Sequence, residues 1–153
     1  MANHILDGTG AHNFFIADAV DYGCAGRGVF DPFSKTLGKQ VDRVDKAFYI
    51  WKKCIQCATG KDPGMIQSYV FDGTSCQNSS LASRSICECD YALISMLYNA
   101  EPAHVNYNGD SCVKAIANGQ LAQCCNWDTY MYAIYNPMKK CCGSKGPQTA
   151  GTC

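Results

Sequence analysis

Cysteine is the residue type with the most chemical capacity in this chain, because its thiolate binds metals and its thiol forms disulfides. The chain has 153 residues and twelve cysteines. Cys54-Ile-Gln-Cys57 and Cys87-Glu-Cys89 are the groups closest to a zinc pattern, but no second CxxC follows at the spacing of structural zinc sites. An even number of cysteines in a short chain instead favours an extracellular disulfide scaffold.

Histidine is the usual general base in hydrolytic chemistry, and the chain has three: His4, His12 and His104. All three are far in sequence from the CxxC group, so they do not complete a zinc site. No pattern places any of them beside a serine or cysteine, so Ser-His-Asp chemistry is not predicted.

The charges balance, with thirteen basic and thirteen acidic residues. A neutral chain does not favour nucleic acid or anionic membranes as partners. No apolar run approaches the roughly 20 residues that a transmembrane helix needs. The cysteines favour a secreted protein. Because the first residues lack the apolar stretch of a signal peptide, we expect the sequence to be that of the mature chain, with Met1 added.

Two stretches show apolar residues at three- and four-residue steps, the pattern of a helix with one buried face. The first covers residues 41–58 and stops before Gly60 and Pro63; the second covers residues 81–99 and precedes Pro102. The apolar positions are Val41, Val44, Phe48, Trp51 and Ile55 in the first, and Ile86, Leu93, Met96 and Leu97 in the second.

The other segments have weaker patterns. Three glycines in residues 22–28 predict a tightly bent loop. Residues 67–80 suit a short hairpin, with a glycosylation sequon at Asn78, and residues 12–20 suit a short helix. Beyond Tyr107, glycine, asparagine, proline and paired cysteines predict loops and short strands held by disulfides.

Three of these pieces, in order, resemble secreted phospholipase A2. They are the loop Tyr22-Gly-Cys-Ala-Gly-Arg-Gly28, the helix from Asp42-Arg-Val-Asp45 to Cys54, and the helix with Ile86-Cys-Glu-Cys-Asp90. In that family the loop reads YGCxCGxG, the first helix DxxDxCCxxHDxC, and the second begins with CxCD. The resemblance covers residues 22–99, about half the chain.

The cysteines that depart from the family pattern do so in pairs. The two adjacent cysteines of the family's first helix are replaced by Ala47 and Phe48, the loop cysteine is absent, and the partner in the second helix is Met96. Both family bonds are therefore lost at both ends, which favours kinship over a chance match. The retained bonds would be Cys54 to Cys89 and Cys76 to Cys87, and Cys24 would pair with a cysteine of the C-terminal region.

A chain of 153 residues predicts a single domain, 1–153. Within it, the resemblance implies a phospholipase A2-like core at 22–99, with a cysteine-rich extension at 107–153 packed on it. The fold class expected is mainly α and disulfide-rich. It would have two long antiparallel helices linked by disulfides, a Gly-rich loop and a small β-hairpin. The C-terminal region would be irregular.

The resemblance also implies that the catalytic machinery is degenerate. Trp51 occupies the position of the histidine base, and an indole N–H is a donor only, so it does not accept a proton from water. Lys52 occupies the position of the calcium-binding aspartate, where an ammonium repels the metal. Asp90 matches the aspartate that orients the histidine, and here it is expected to accept a hydrogen bond from Trp51 Nε1.

The former calcium loop would comprise Cys24, Ala25, Gly26 and Gly28, with no calcium expected at the usual site and no other cofactor. Two roles stay open for Lys52. Its ammonium is either solvated or bound to carbonyls of residues 26–28 in place of calcium.

The C-terminal cysteines form a second pattern, which is similar to the di-cysteine units of galaxin-like matrix proteins. It comprises Cys124-Cys125, Cys141-Cys142 and Cys153. Adjacent cysteines point to opposite sides of an extended chain, so such a pair can join one hairpin to two neighbours. The alternative is that these disulfides only stabilise the C-terminal region of a small core.

Four functions follow from these patterns. The leading hypothesis is a secreted non-catalytic protein of extracellular matrix or secretions, with a structural or binding role and a lipid or extracellular protein as partner. The second is a lipid carrier or receptor-binding protein that uses an apolar channel. A membrane-active toxin is less favoured, because the basic residues of this chain cluster only at Lys139, Lys140 and Lys145. An active phospholipase is less favoured, because the chain has no histidine at the position of the base. The channel would be lined by Phe14, Phe15, Phe48 and Trp51.

Overall fold

The computed structural model describes residues 22–26, 31–77, 80–100, 112–113, 122–128 and 131–153. Within these ranges the chain forms two α-helices, one short 3-10 helix and six short strands. The short helix expected at residues 12–20 and the sequon asparagine, Asn78, lie outside the described residues.

Helix α1 runs from Arg43 to Thr59, close to the predicted range of 41–58. It begins at Asp42, whose side chain accepts a hydrogen bond from Asp45 N at 2.8 Å and so satisfies an amide that has no partner within the helix. It ends at Gly60, which adopts the left-handed conformation (φ 61°) typical of helix ends.

Helix α2 runs from Leu81 to Tyr98 and begins at Ser80, whose hydroxyl accepts a hydrogen bond from Ser83 N. A 3-10 helix, Pro63–Met65, and a small hairpin lie between the two α-helices. In the hairpin, strands β1 (Val70–Phe71) and β2 (Cys76–Gln77) pair antiparallel.

The core forms where α1 and α2 pack together, and a disulfide between Cys54 and Cys89 joins them there. A second disulfide, Cys76–Cys87, ties β2 to α2. Both pairings are the ones that the family resemblance implied. The core side chains include Val44, Phe48, Trp51, Ile55, Ile86, Leu93 and Leu97.

The expectation of a mainly α protein with an irregular C-terminal region is wrong. The described residues contain three antiparallel two-stranded sheets, and two of them lie in the C-terminal region. Aromatic and β-branched residues favour these strands, and the cysteines fasten them where the apolar core is too small to do so. The C-terminal strands are β3 (Gln123–Asp128), β4 (Met131–Tyr135), β5 (Lys140–Gly143) and β6 (Gly146–Thr149).

The adjacent cysteines of β3 attach it in two directions. Cys124 bonds to Cys57 of α1, and its neighbour Cys125 bonds to Cys142 of β5. A further bond, Cys141–Cys153, closes the C-terminal end of the chain. The cysteine pair therefore joins the helices to both C-terminal hairpins.

Tyr132 provides a non-covalent contact between the C-terminal region and the helices. Its hydroxyl lies 3.9 Å from Cys54 Sγ and 3.6 Å from Cys89 Sγ, so it covers the disulfide that joins α1 and α2. Burial raises the pKa of this phenol above its ordinary value. Neither α1 nor α2 has the length and apolar character that crossing a membrane requires.

We expect the double variant Cys57→Ala/Cys124→Ala to lose more stability than Cys141→Ala/Cys153→Ala. The first bond spans 67 residues and the second 12, and a longer closed loop restricts the unfolded chain more. The loss should be about 2–4 kcal/mol for the first pair and about 1.5 kcal/mol smaller for the second. Guanidinium denaturation without reductant measures both values, and equal losses would contradict the assignment of Cys57–Cys124 as the main link to the helices.

Candidate functional site

Trp51 and Asp90 form a buried pair between α1 and α2. Trp51 Nε1 donates to Asp90 Oδ1 at 2.6 Å, the hydrogen bond expected from the sequence. Tyr69 donates to the other carboxylate oxygen, Oδ2, at 2.7 Å. Asp90 has no exposed surface and Trp51 is 3% exposed, so these two donors replace water around the carboxylate.

The burial of this cluster shifts the ionisation of both acidic groups. Burial raises the pKa of Asp90 above its ordinary value, while the hydrogen bonds from Trp51 and Tyr69 lower it and offset part of the increase. Burial also raises the pKa of Tyr69, and the hydrogen bond to Asp90 adds to that increase. Tyr69 therefore stays protonated and acts as a donor.

The side chain at position 51 cannot activate a water molecule, because it cannot accept a proton from that water. The indole nitrogen carries a hydrogen and has no lone pair available, and its hydrogen is already donated to Asp90. Asp90 in turn accepts from two donors inside the core. The cluster holds the two helices and the segment with Tyr69 together.

A second buried carboxylate, that of Asp45, organises the loop at residues 22–26. Four backbone amides donate to it, from Cys24, Ala25, Gly26 and Val41, at distances between 2.6 and 3.1 Å. The carboxylate has no exposed surface. The loop thus turns its N–H groups toward α1, and hydrogen bonds from these amides to the Asp45 carboxylate hold it to the helix. We call the four amides and the carboxylate the Asp45 cradle.

Glycine is required at two positions of this loop. Gly23 has φ +78°, and a Cβ there would lie 2.3 Å from Asp45 Cγ; at Gly26 a Cβ would lie 2.3 Å from Phe48 Cβ. The close approach of the loop to α1 therefore depends on both glycines. Phe48 fills the contact with the loop by packing.

One carbonyl group of the loop accepts hydrogen bonds from within the protein. Cys24 O accepts hydrogen bonds from Leu37 N at 2.8 Å and from Thr36 Oγ1 at 3.3 Å. Cys24 is also bonded to Cys112, a cysteine of the C-terminal region as expected. Gly28, assigned to the same loop from the sequence, lies outside the described residues.

Lys52 is buried, with 3% of its surface exposed. Its Nζ donates to Ser34 Oγ at 2.5 Å, so it is not the solvated lysine that was one of the two expectations. The other expectation concerned carbonyls of residues 26–28, of which residues 27 and 28 lie outside the described residues. Ser34 was not identified from the sequence as its partner.

Lys52 lines a cleft of about 540 Å³ beside α1. We call it the lysine cleft, because four of its lining residues are Lys35, Lys52, Lys53 and Lys61. Further lining residues include two hydroxyls, Ser34 and Thr36, and two aromatic rings, Phe33 and Tyr49. No aspartate or glutamate is among the described residues that line it.

The electrostatics of the lysine cleft affect Lys53 most clearly. Burial lowers the pKa of its ammonium group, and repulsion by Lys61 lowers it further. Its Nζ lies 5.7 Å from the centre of the Tyr49 ring, a cation–π contact that partly replaces lost water. Positive charge is therefore concentrated here without a balancing carboxylate among the described lining residues.

The residues identified from the sequence separate into two places. Trp51 and Asp90 meet in the core, whereas Lys52 and Ala25 line the lysine cleft. Phe48 and Trp51, expected to line an apolar channel, are core residues instead; Phe14 and Phe15 lie outside the described residues. Sequence reasoning missed Lys35, Lys53 and Lys61, because a net charge of zero conceals a local cluster.

Among the described residues, no group of three or more histidine, cysteine, aspartate or glutamate side chains is placed to hold a metal ion. All twelve cysteines are described, and all are in disulfides. The Cys54 and Cys57 thiols of the CxxC group bond to different partners, Cys89 and Cys124. Thiolate coordination at this group would require both bonds to be reduced.

We expect Asp90→Asn to remove a pH dependence of stability. Because the pKa of Asp90 is higher in the folded protein than its ordinary 3.8, the folded state binds the proton more tightly. The contribution of Asp90 to the unfolding free energy is thus largest below pH 3.8 and falls as the pH rises through the folded pKa. An asparagine side chain cannot ionise, so the variant should gain stability relative to wild type over that window.

Urea denaturation at a series of pH values measures this difference, with Asp62→Asn as a control at an exposed aspartate that caps the 3-10 helix. A wild-type-to-variant difference that stays constant with pH would contradict the raised pKa of Asp90.

We expect Asp45→Asn to destabilise the protein by about 3 kcal/mol, because the amide nitrogen would face backbone N–H groups and leave donors unsatisfied. The exposed Asp31, which accepts from Phe33 N at 2.9 Å, offers a matched control in Asp31→Asn. Guanidinium denaturation of both variants gives the comparison. Equal and small losses would show that the cradle of amides does not depend on the carboxylate.

Comparison with family models found no match for this chain, and neither the curated proteins nor the solved structures compared with it match.

Proposed function

We propose that this chain is a secreted, non-catalytic phospholipase A2-like protein with a binding or structural role in an extracellular matrix or secretion. The observation that carries the proposal is the hydrogen bond from Trp51 Nε1 to Asp90 Oδ1. At the position where the family has its histidine base, a donor-only side chain is fixed to the aspartate that would orient that base. The pair stabilises the core, and its indole nitrogen cannot accept a proton from water.

The metal position supports the same proposal. Lys52 is buried and donates to Ser34 Oγ, so an ammonium occupies the place where the family has a carboxylate ligand. The adjacent loop directs its amides to Asp45, and Cys24 O accepts from Leu37 and Thr36. A cation at this place would meet a like charge and a carbonyl that is already bound.

An extracellular location is supported by the cysteines. Six disulfides pair all twelve of them, a content that persists in oxidising compartments and not in the cytosol. The di-cysteine hairpins make a small domain resistant to unfolding, which suits a component of a matrix or secretion. A lipid carrier is less well supported, because Phe48 and Trp51 are packed in the core.

The test is release of fatty acid from dispersed phospholipid by the fully oxidised protein, with and without millimolar calcium. We expect no release above the rate without protein and no effect of calcium, because neither a base nor a metal ligand stands at the required positions. Titration calorimetry with calcium chloride should likewise detect no binding.

A secreted phospholipase A2 of known activity on the same vesicles serves as the positive control. The double variant Trp51→His/Lys52→Asp, assayed in parallel, tells whether those two side chains alone account for inactivity. Calcium-dependent release by the wild type would contradict the proposal and place an active site elsewhere.

A further inference from the structure

We propose that the lysine cleft is a binding site for the phosphate monoester group of an organic ligand. This inference does not depend on kinship with phospholipase A2, because it rests on the charge, shape and burial of the cleft alone. The assay for phospholipid hydrolysis and the assay for phosphate binding can therefore succeed or fail independently of each other.

The first argument is the imbalance of charge within the cleft. Four lysines line it, and no carboxylate is among its described lining residues. Lysines on an open surface separate in water at little cost, but only 3% of the surface of Lys52 is exposed. Its ammonium group is held in place by the structure, because Nζ donates a hydrogen bond to Ser34 Oγ at 2.5 Å.

The second argument is the interaction of Lys53 with Lys61. Burial of Lys53 and repulsion by Lys61 both disfavour its charged form. An anion between these two lysines would replace the missing water of one and screen the repulsion of both. Binding of an anion is therefore favoured because it offsets the cost of burying the Lys53 ammonium beside Lys61.

The third argument concerns which anion fits. A phosphate monoester is close to a dianion at neutral pH and has three acceptor oxygens, so it suits several ammonium groups better than a singly charged carboxylate. Lysine binds phosphate as a point charge, and four lysines line the cleft.

The fourth argument concerns the rest of the ligand. A cleft of about 540 Å³ is the size of a site for a small organic molecule rather than for an inorganic ion. Phe33 and Tyr49 line it with aromatic surface, and Tyr49 is 6% exposed and fixed in place by its burial. The organic part of the ligand would pack on these rings while the phosphate contacts the lysines.

The ligand is either a soluble phosphomonoester or a lipid whose headgroup is a phosphate monoester, since the two present the same chemistry. Titration calorimetry with phenyl phosphate tests the first. Co-sedimentation with phosphatidylcholine vesicles, with and without phosphatidic acid, tests the second. The site is supported by binding in either arm that depends on the cleft lysines.

The variants Lys61→Gln and Lys53→Gln should each weaken binding about tenfold or more, the loss expected for one charge-assisted contact. Lys145→Gln removes the same charge from an exposed residue that does not line the cleft, and it should leave affinity unchanged. Lys61 is also exposed, so its variant keeps the fold and gives a clean result if Lys53→Gln is unstable.

Proton uptake on binding distinguishes a Lys53 that contacts the anion from a Lys53 that only stabilises the fold. Because the pKa of Lys53 is lowered in the empty cleft, an anion should raise it again, and binding near the lowered pKa should take up protons. Calorimetry in two buffers of different ionisation enthalpy measures the uptake. It should disappear in Lys53→Gln and persist in Lys145→Gln.

Three results would overturn the proposal. They are no binding of phenyl phosphate or of phosphatidic acid vesicles, equal weakening by Lys61→Gln and Lys145→Gln, or binding that the cleft variants leave intact.

Discussion

The carboxylate of Asp45 lies inside the protein without exposed surface, and a buried carboxylate is stable only where donors replace its water. Four backbone amides supply those donors, and three of them belong to consecutive residues, Cys24–Gly26. Because those residues are fixed, the Cys24–Cys112 bond is fixed at one end and the lysine cleft has its wall at Ala25. The rest of the site depends on this carboxylate through the loop that it holds.

Disulfides replace a large core in the C-terminal half. The described strands there are short, and Cys125 is their one cysteine among the fully buried side chains. Covalent bonds to Cys57 and Cys142 give this region its position, because few apolar contacts are available to do so. Tyr132 then closes over the Cys54–Cys89 bond, so the extension and the helices share one packed surface.

The sequence predicted what local rules determine. Apolar spacing placed α1 and α2 within about two residues, since periodicity and the stop at Gly60 act locally. The family motif also identified the pairs Trp51–Asp90 and Cys54–Cys89. Short strands were predicted beyond Tyr107, but the fold class was wrong because the pairing of β3 to β6 into two hairpins was not predicted. Disulfide connectivity among paired cysteines cannot be deduced from spacing. The Asp45 cradle was missed because backbone amides leave no mark on residue type.

The lysine cleft was missed for a different reason, which bears on how such a site arises. Composition reports the sum of charges, and thirteen of each sign cancel, while binding depends on where each charge lies. The two signs of charge lie on different sides of helix α1. Asp45 and Trp51, which donates to Asp90, face the interior, whereas Lys52, Lys53 and Lys61, which follows the end of the helix, line the cleft. A divalent cation beside Lys52 would oppose this arrangement, whereas an anion would complete it.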